Sequence, residues 1–284
     1  MLLRKTVSGI ILTLLLTSIL SSVFVIQPVK AAGGTIYIRA DGSVDPPTAP
    51  ILTIDNITYT FTSSIYDSIV VERGNIVIDG KGYTLQGIRS GTGINLTRIS
   101  NVTIKNVRIK EFYYGIYLSH SSNNHILGNN ITNNQHGIHL SSVAYTDITN
   151  NIVLNNYAGI LLYSSSCNSI FGNNVSYNDA HGILVYFESN NNKISSNIIS
   201  NNSMGISLYS SGSTNNDISC NTVLNNHYGL WLYWFGDKIY HNNFINNQIQ
   251  TWDHWFPSTP HIFDNGYPSG GNYWSDYTGN DTYS

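Results

Sequence analysis

Apolar and polar side chains alternate in short runs through the middle of the chain, and each run opens at a glycine. The phrase is Gly-Ile-x-Leu or a close variant, and it recurs with spacings of 22 to 24 residues. Alternation with a period of two predicts a strand with one buried face. Seven glycines begin the phrase: Gly93, Gly115, Gly137, Gly159, Gly182, Gly205 and Gly229.

Two further positions recur upstream of the glycine. An isoleucine lies about eleven residues before it in six units, and an asparagine lies four residues before it in five. A unit of this length with short strands and Asn-rich turns is typical of one coil of a parallel β-helix. Equivalent residues of neighbouring coils then stack at about 4.8 Å, and the isoleucines form an inward column. We expect the asparagines to hydrogen-bond along the stack; they are Asn133, Asn155, Asn178, Asn201 and Asn225.

Three segments carry a family resemblance. The phrase Asn-Asn-x-x-Gly-Ile-x-Leu resembles the repeats of the NosD-type β-helix proteins. These proteins belong to the wider group of carbohydrate-binding and sugar-hydrolase domains, which also resembles the pectate lyases. The segment "IVIDGKGYTLQG", Ile76 to Gly87, is similar to the first coil of that family, and "GGNYWSDYTGND", Gly270 to Asp281, resembles its C-terminal signature. We predict an all-β chain that forms a single-stranded, right-handed parallel β-helix with coils of 22 to 24 residues and capping ends.

The two ends of the chain differ from the repeats. A basic pair and then an apolar run predict a signal peptide, or a retained anchor, over residues 1–32. Both interpretations place the remainder outside the cytoplasm, in the periplasm, at the cell surface or in the medium. We predict an N-terminal cap over 33–74, coils over 75–243 and an aromatic C-terminal cap over 244–284. In the resembled family the C-terminal signature continues into an Asp- and Gly-rich segment. We therefore leave open whether a further module or a membrane tail follows residue 284.

Composition narrows the classes of partner. Only 10% of residues are charged and the formal net charge is −3, so the chain lacks the basic face of a nucleic-acid-binding protein. Asparagine supplies 37 of the 284 residues, as tight turns favour. Cys167 and Cys220 fall at different offsets of the repeat, and we expect free thiols because a disulfide needs Cα atoms within about 7 Å.

The acidic residues of the coils do not pair across neighbouring coils. Asp147 and Asp217 share an offset but lie three coils apart, about 14 Å, whereas glycosidases place two carboxylates about 5 to 9.5 Å apart. The other acids fall at separate offsets, so catalysis is not the leading hypothesis, and a polysaccharide lyase or hydrolase remains an alternative. The remaining acids are Glu111, Asp179, Glu188 and Asp237.

His136 and His139 lie three residues apart and raise the question of a metal site. His181 shares the offset of His136 but lies two coils further on, about 10 Å away, whereas metal–nitrogen bonds are about 2 Å long. In an extended strand the two would point to opposite faces, unless the chain bends at Gly137. We predict no cofactor and leave copper and calcium open, with a NosD-like accessory protein of copper or export machinery as the second alternative function.

Aromatic residues supply the leading hypothesis. Tyrosine lies four residues after the glycine in four consecutive coils, and other aromatic side chains lie two residues after it on the same outward face. Aromatic faces bind sugar rings, and the tyrosine hydroxyl stays in water. The alternative is that the rings only stabilise an exposed sheet. We predict an exported module that binds polysaccharide or serves as a surface structural protein, with these candidate contacts: Tyr163, Tyr186, Tyr209, Tyr233, Trp231 and Tyr117.

Overall fold

The computed structural model describes residues 33–209, 214–233, 236–254 and 260–279. The predicted signal peptide or anchor over residues 1–32 lies outside the described residues, as do 280–284 at the end of the predicted C-terminal cap. The described chain contains strands and turns, and none of it forms a helix that is long and apolar enough to cross a membrane.

The described strands form three sheets that run the length of a β-solenoid of about nine turns. The predicted parallel β-helix is therefore confirmed. Sheet 1 contains, in chain order, Thr35–Ile38, Val44–Asp45, Ser68–Val71, Thr92–Thr97, Tyr114–Ser119, His136–Ser141, Ala158–Tyr163, His181–Tyr186, Met204–Tyr209, Tyr228–Leu232 and Ile249–Asp253. Sheet 2 contains Ile51–Leu52, Thr58–Phe61, Ile76–Asp79, Val102–Lys105, His125–Leu127, Asp147–Thr149, Ser169–Phe171, Lys193–Ser195, Asp217–Ser219 and Lys238–Tyr240. Sheet 3 contains Thr84–Gln86, Arg108–Lys110, Asn130–Thr132, Ile152–Leu154, Asn174–Ser176, Ile198–Ser200, Thr222–Leu224, Asn243–Ile245 and Tyr273–Trp274.

The interior is a set of apolar columns, one or two for each sheet. Each sheet 1 strand of the repeat points an isoleucine and a leucine, or close equivalents, inward, and sheet 3 adds Ile, Val or Phe. β-Branched side chains suit this stacked surface because they pack well against identical neighbours on a pleated sheet. The isoleucines predicted upstream of the glycines form the inward column of sheet 2, all fully buried: Ile104, Ile126, Ile148, Ile170, Ile194 and Ile218.

The repeat glycines are required because the neighbouring coil leaves no room for a side chain at these positions. A Cβ atom on Gly159 would lie 2.6 Å from the carbonyl oxygen of Gly182 in the next coil and 2.8 Å from a Val175 methyl group of sheet 3. The glycine and the isoleucine after it are both buried, so two successive residues lie on the inner side at this bend. As a result, the residue before the glycine and the residue two after it both project outward.

Three ladders of buried side-chain amides line the corners of the solenoid. In each, an asparagine Oδ1 accepts hydrogen bonds from the backbone N–H and the Nδ2 group of its counterpart in the preceding coil, at 2.9–3.1 Å. This arrangement satisfies corner amides that would otherwise be buried without a partner. The ladder next to sheet 1 contains Asn134, Asn156, Asn178, Asn202, Asn226 and Asn247.

The predicted asparagine stack is corrected by one residue. Only Asn178 of the five predicted asparagines belongs to the ladder. The other four are exposed and adopt a left-handed backbone with φ of 54° to 58°, a conformation that asparagine tolerates better than most residues. The offset from the glycine identifies Asn178 correctly because that unit contains one extra residue between the ladder asparagine and the glycine. In the other units the same offset falls on the wrong member of each asparagine pair, namely Asn133, Asn155, Asn201 and Asn225.

The ends of the described chain extend the sheets. Within the region predicted as an N-terminal cap, Thr35–Ile38 and Ser68–Val71 pair in parallel and continue sheet 1, and Val44–Asp45 pairs antiparallel at its edge. Near the other end, the Trp274 ring stacks on Phe244, with centroids 4.4 Å apart. Both cysteines are free, as expected.

Candidate functional site

The four predicted tyrosines form one column on the outer face of sheet 1. Parallel pairing places Tyr163 opposite Tyr186, and Tyr186 opposite Tyr209. The centroids of successive rings lie 5.7, 5.9 and 4.7 Å apart as far as Tyr233, and His254 stacks on Tyr233 at 4.9 Å. The first three tyrosines are 37–41% exposed, so solvent reaches the column. We call these five residues the tyrosine column.

A second set of rings flanks the C-terminal end of the tyrosine column. Trp231 stacks on Trp252, with centroids 4.1 Å apart and planes 20° apart, and Tyr228 meets Trp231 edge to face at 4.6 Å. Trp252 also stacks against His254 at 5.5 Å. The structure therefore brings the predicted Trp231 next to the tyrosine column.

Tyr117, the remaining predicted contact, belongs to a separate cluster near the N-terminal end of the same face. Its ring lies 4.9 Å from Tyr114 and 5.4 Å from His139. His136 stacks on Tyr114 at 5.4 Å, and the two histidine rings lie 5.5 Å apart. The bend at Gly137 thus places His136 and His139 on one face, contrary to the expectation for an extended strand.

Burial lowers the pKa of three histidines on this face. Burial lowers the pKa of His136, and burial together with the neighbouring His136 lowers the pKa of His139 to about 4. Burial also lowers the pKa of His181, whose Nδ1 lies 2.9 Å from the Ser207 hydroxyl oxygen. At neutral pH these side chains therefore act as aromatic rings and hydrogen-bonding groups.

The positions missed by sequence reasoning are mainly those directly before the glycine. Tyr114, His136 and Tyr228 occupy this position, in register with Ala158. Strict period-two alternation places it on the face opposite to the residue two after the glycine, so the alternation does not predict that both face outward. The recurring glycine is the sequence signal that could have predicted these outward positions. A glycine at the same place in every coil indicates a bend in the strand.

The face formed by these strands is almost without charge. Across the eight described strands from Thr92–Thr97 to Ile249–Asp253, Asp253 is the only Asp, Glu, Lys or Arg. The acids considered for catalysis lie elsewhere. Asp147 pairs with His125 at 3.1 Å on sheet 2, and Asp217 accepts a hydrogen bond from the Tyr240 hydroxyl at 3.0 Å.

The profile of the family described as "Periplasmic copper-binding protein (NosD)" matches residues 74–279. The chain belongs to the NosD family. The match covers most of the described solenoid. It includes the segment Ile76 to Gly87 and all but the last two residues of the segment Gly270 to Asp281. No curated protein matches this NosD-family chain.

Solved structures confirm the fold of this NosD-family chain. The periplasmic alginate epimerase AlgG is 23% identical, with a TM-score of 0.51 over 56% of this chain and 42% of the epimerase. The Dettilon tailspike protein is 15% identical, with a TM-score of 0.57 over 81% of this chain and 48% of the tailspike. A protein of Geobacillus virus E2 is 11% identical, with a TM-score of 0.52 over 87% and 52%. The chain thus spans about half or less of these proteins.

The family description names copper, and the described residues do not fit a copper centre. Square-planar copper(II) centres and blue-copper centres use three or more ligands. His136 and His139 supply two imidazoles, and their neighbours on the face are tyrosine rings. Among the residues that the structure describes, no group of three or more His, Cys, Asp or Glu side chains could hold a metal ion.

Proposed function

We propose that this protein is an exported module that binds polysaccharide along the tyrosine column of sheet 1. The observation that carries the proposal is a row of aromatic rings, one for each coil, with centroids 4.7 to 5.9 Å apart and open to solvent. A sugar packs its C–H groups against the exposed parts of such rings, and a row of them offers several successive sugars the same contact. Tyrosine also leaves its hydroxyl available for hydrogen bonds.

The composition of the face favours binding over catalysis. A lyase or hydrolase needs acid and base side chains at the reacting bond, and glycosidases need a pair of carboxylates. The described strands that present the rings contain one carboxylate, Asp253, at their end. The NosD family and the alginate epimerase are both periplasmic, which supports export of this chain. The epimerase acts on a polysaccharide, and the shared fold makes this class of ligand the first to test.

A polysaccharide array tests the proposal. The full chain is compared with a Tyr186→Ala, Tyr209→Ala double variant. The matched control is a Tyr83→Ala, Tyr177→Ala double variant, which removes two tyrosines that are 40% and 58% exposed outside sheet 1. Two lost aromatic contacts are expected to weaken binding by about 1–3 kcal/mol, or about five- to 150-fold.

The control variant is expected to bind as the wild type does. Equal binding by all three proteins would reject the tyrosine column as the site. Equal losses in both variants would show that the effect is not specific to sheet 1. Circular dichroism of each variant establishes that the β-helix is intact.

A further inference from the structure

The chemistry of the aromatic face restricts the class of polysaccharide that it can hold. A polymer of uronic acids carries a carboxylate on every sugar. Proteins recognise such groups with Arg and Lys, whose charge-assisted hydrogen bonds compensate for the loss of water around the carboxylate. The eight described strands from Thr92–Thr97 to Ile249–Asp253 contain neither residue, and their one charged side chain, Asp253, is an acid.

Two histidines near the N-terminal end of the face do not replace the missing cations. His136 and His139 are half-buried among the rings of Tyr114 and Tyr117, and burial lowers the pKa of both. His254 lies between the rings of Tyr233 and Trp252, at 4.9 and 5.5 Å. A carboxylate held against these rings would lose water, and none of the eight strands supplies an Arg or Lys to compensate for that loss.

The groups that the face does present suit hydroxyl-bearing sugars. The exposed parts of the rings can pack against the apolar C–H groups of a pyranose, and tyrosine hydroxyls at the edge of the column can donate to and accept from sugar hydroxyls. Each ring of the column lies one coil beyond the last, at about the 4.8 Å strand spacing, and an extended pyranose chain advances by a similar distance per sugar.

We propose that the ligand of the tyrosine column is an uncharged polysaccharide. This inference rests on the proposed function and adds the substrate class to it. It also separates this chain from the alginate epimerase whose fold it shares, because alginate is a polyuronate.

Isothermal titration with two matched polymers tests the proposal. One is a neutral glucan of extended conformation, and the other is the same glucan after oxidation of its C6 hydroxyls to carboxylates. The full chain is expected to bind the neutral polymer at least about tenfold more tightly, with an affinity that does not change between low and high salt because no ion pair forms.

Binding of the carboxylated polymer equal to or tighter than that of the neutral one would overturn the inference and leave the proposed function standing. Failure to bind either polymer, together with an empty array, would overturn both. Sedimentation of the same samples tests whether a second copy of the chain, and not a polysaccharide, occupies the aromatic face. Self-association that the Tyr186→Ala, Tyr209→Ala variant abolishes would assign the face to a second copy of the chain and would likewise overturn both.

Discussion

Neighbouring asparagines in one corner perform different tasks. Asn156 is fully buried, and its Oδ1 accepts from the Asn134 backbone N–H and Nδ2 at 2.9 and 3.0 Å. Its own Nδ2 donates to the Ile131 carbonyl oxygen and to Asn178 Oδ1. Asn155, one residue earlier, is exposed and takes the left-handed turn with φ of 54°. The sequence predicts that an asparagine ladder exists, because the pairs recur, but not which member of each pair enters it, because that depends on the backbone angle at the corner.

We predict that Asn156→Ala is far more destabilising than Asn155→Ala. The first change leaves buried backbone groups without partners, and each such group costs about 1–3 kcal/mol. The second loses only the tolerance of asparagine for a left-handed backbone, about 1–2 kcal/mol at most. Urea unfolding of the two variants measures the difference. If Asn155→Ala were the more damaging change, the assignment of the ladder would be wrong.

Asp237 takes the place of asparagine at the C-terminal end of one ladder. Its Oδ1 accepts from the Asn216 backbone N–H and Nδ2 at 2.9 and 2.8 Å, and its Oδ2 lies 3.7 Å from Nδ1 of the buried His261. Burial raises the pKa of Asp237 to about 7, although the hydrogen bonds from Asn216 act to lower it. The native protein therefore binds a proton more tightly than the unfolded chain, whose carboxyl has a pKa of 3.8.

We predict that the free energy of unfolding falls between about pH 4 and pH 7 and that Asp237→Asn removes most of this fall. The contribution of a raised pKa is complete below the unfolded value and is lost as the pH approaches the folded value. At about 1.4 kcal/mol for each pKa unit, the total is on the order of a few kcal/mol. Thermal melts of both proteins at pH 4 and pH 8 test this. A variant less stable than the wild type at pH 8 would indicate an ionised Asp237 paired with His261 instead.

At the scale of one coil, the strand of sheet 1 is shaped by its glycine. Period-two alternation correctly indicates that the residues two and four after the glycine face outward, which places Trp231 and Tyr233 on the face. It does not indicate that Tyr228, directly before the glycine, joins them. The outward direction of Tyr228 depends on the bend at the glycine. The bend in turn depends on the close approach of the next coil, and the sequence of a single repeat carries no information about that approach.

We predict that Gly159→Ala destabilises the solenoid by about 1–3 kcal/mol, as expected for an overpacked core. The new methyl group would lie 2.6 Å from the Gly182 carbonyl oxygen and 3.0 Å from Asn178 Nδ2, and neither can retreat without disturbing the ladder. Ser141→Ala, at an outward position of the preceding sheet 1 strand, is the control and should change stability little. Denaturant midpoints for the two variants give the comparison, and an unaffected Gly159→Ala protein would show that the coils can separate at this corner.

At the scale of the whole molecule, stacking converts a sequence repeat into a surface. Because every coil repeats the one before at about 4.8 Å, the sequence alone predicts that Tyr163, Tyr186, Tyr209 and Tyr233 form a column. It does not predict that His254 and Trp252 continue the rings beyond the last repeat glycine. Those residues follow Gln250, which has no place in the Gly-Ile-x-Leu phrase, so only the pairing of the final strand reveals them.

The tyrosine column predicts how affinity depends on the length of the ligand. Each further sugar should reach one further ring, from Tyr163 to His254, until the column is covered after about four steps of 4.8 Å. Contacts of this kind contribute roughly 0.5–1.5 kcal/mol each, so each added sugar should tighten binding about two- to tenfold, and longer oligomers should gain little more.

The most direct test is therefore a titration of the full chain with an oligosaccharide series of the polysaccharide selected on the array. We predict a stepwise gain in affinity that levels off after about five sugars, and a Tyr186→Ala, Tyr209→Ala variant in which this gain is lost. An affinity independent of oligosaccharide length, or a length dependence unchanged in that variant, would contradict binding along the tyrosine column.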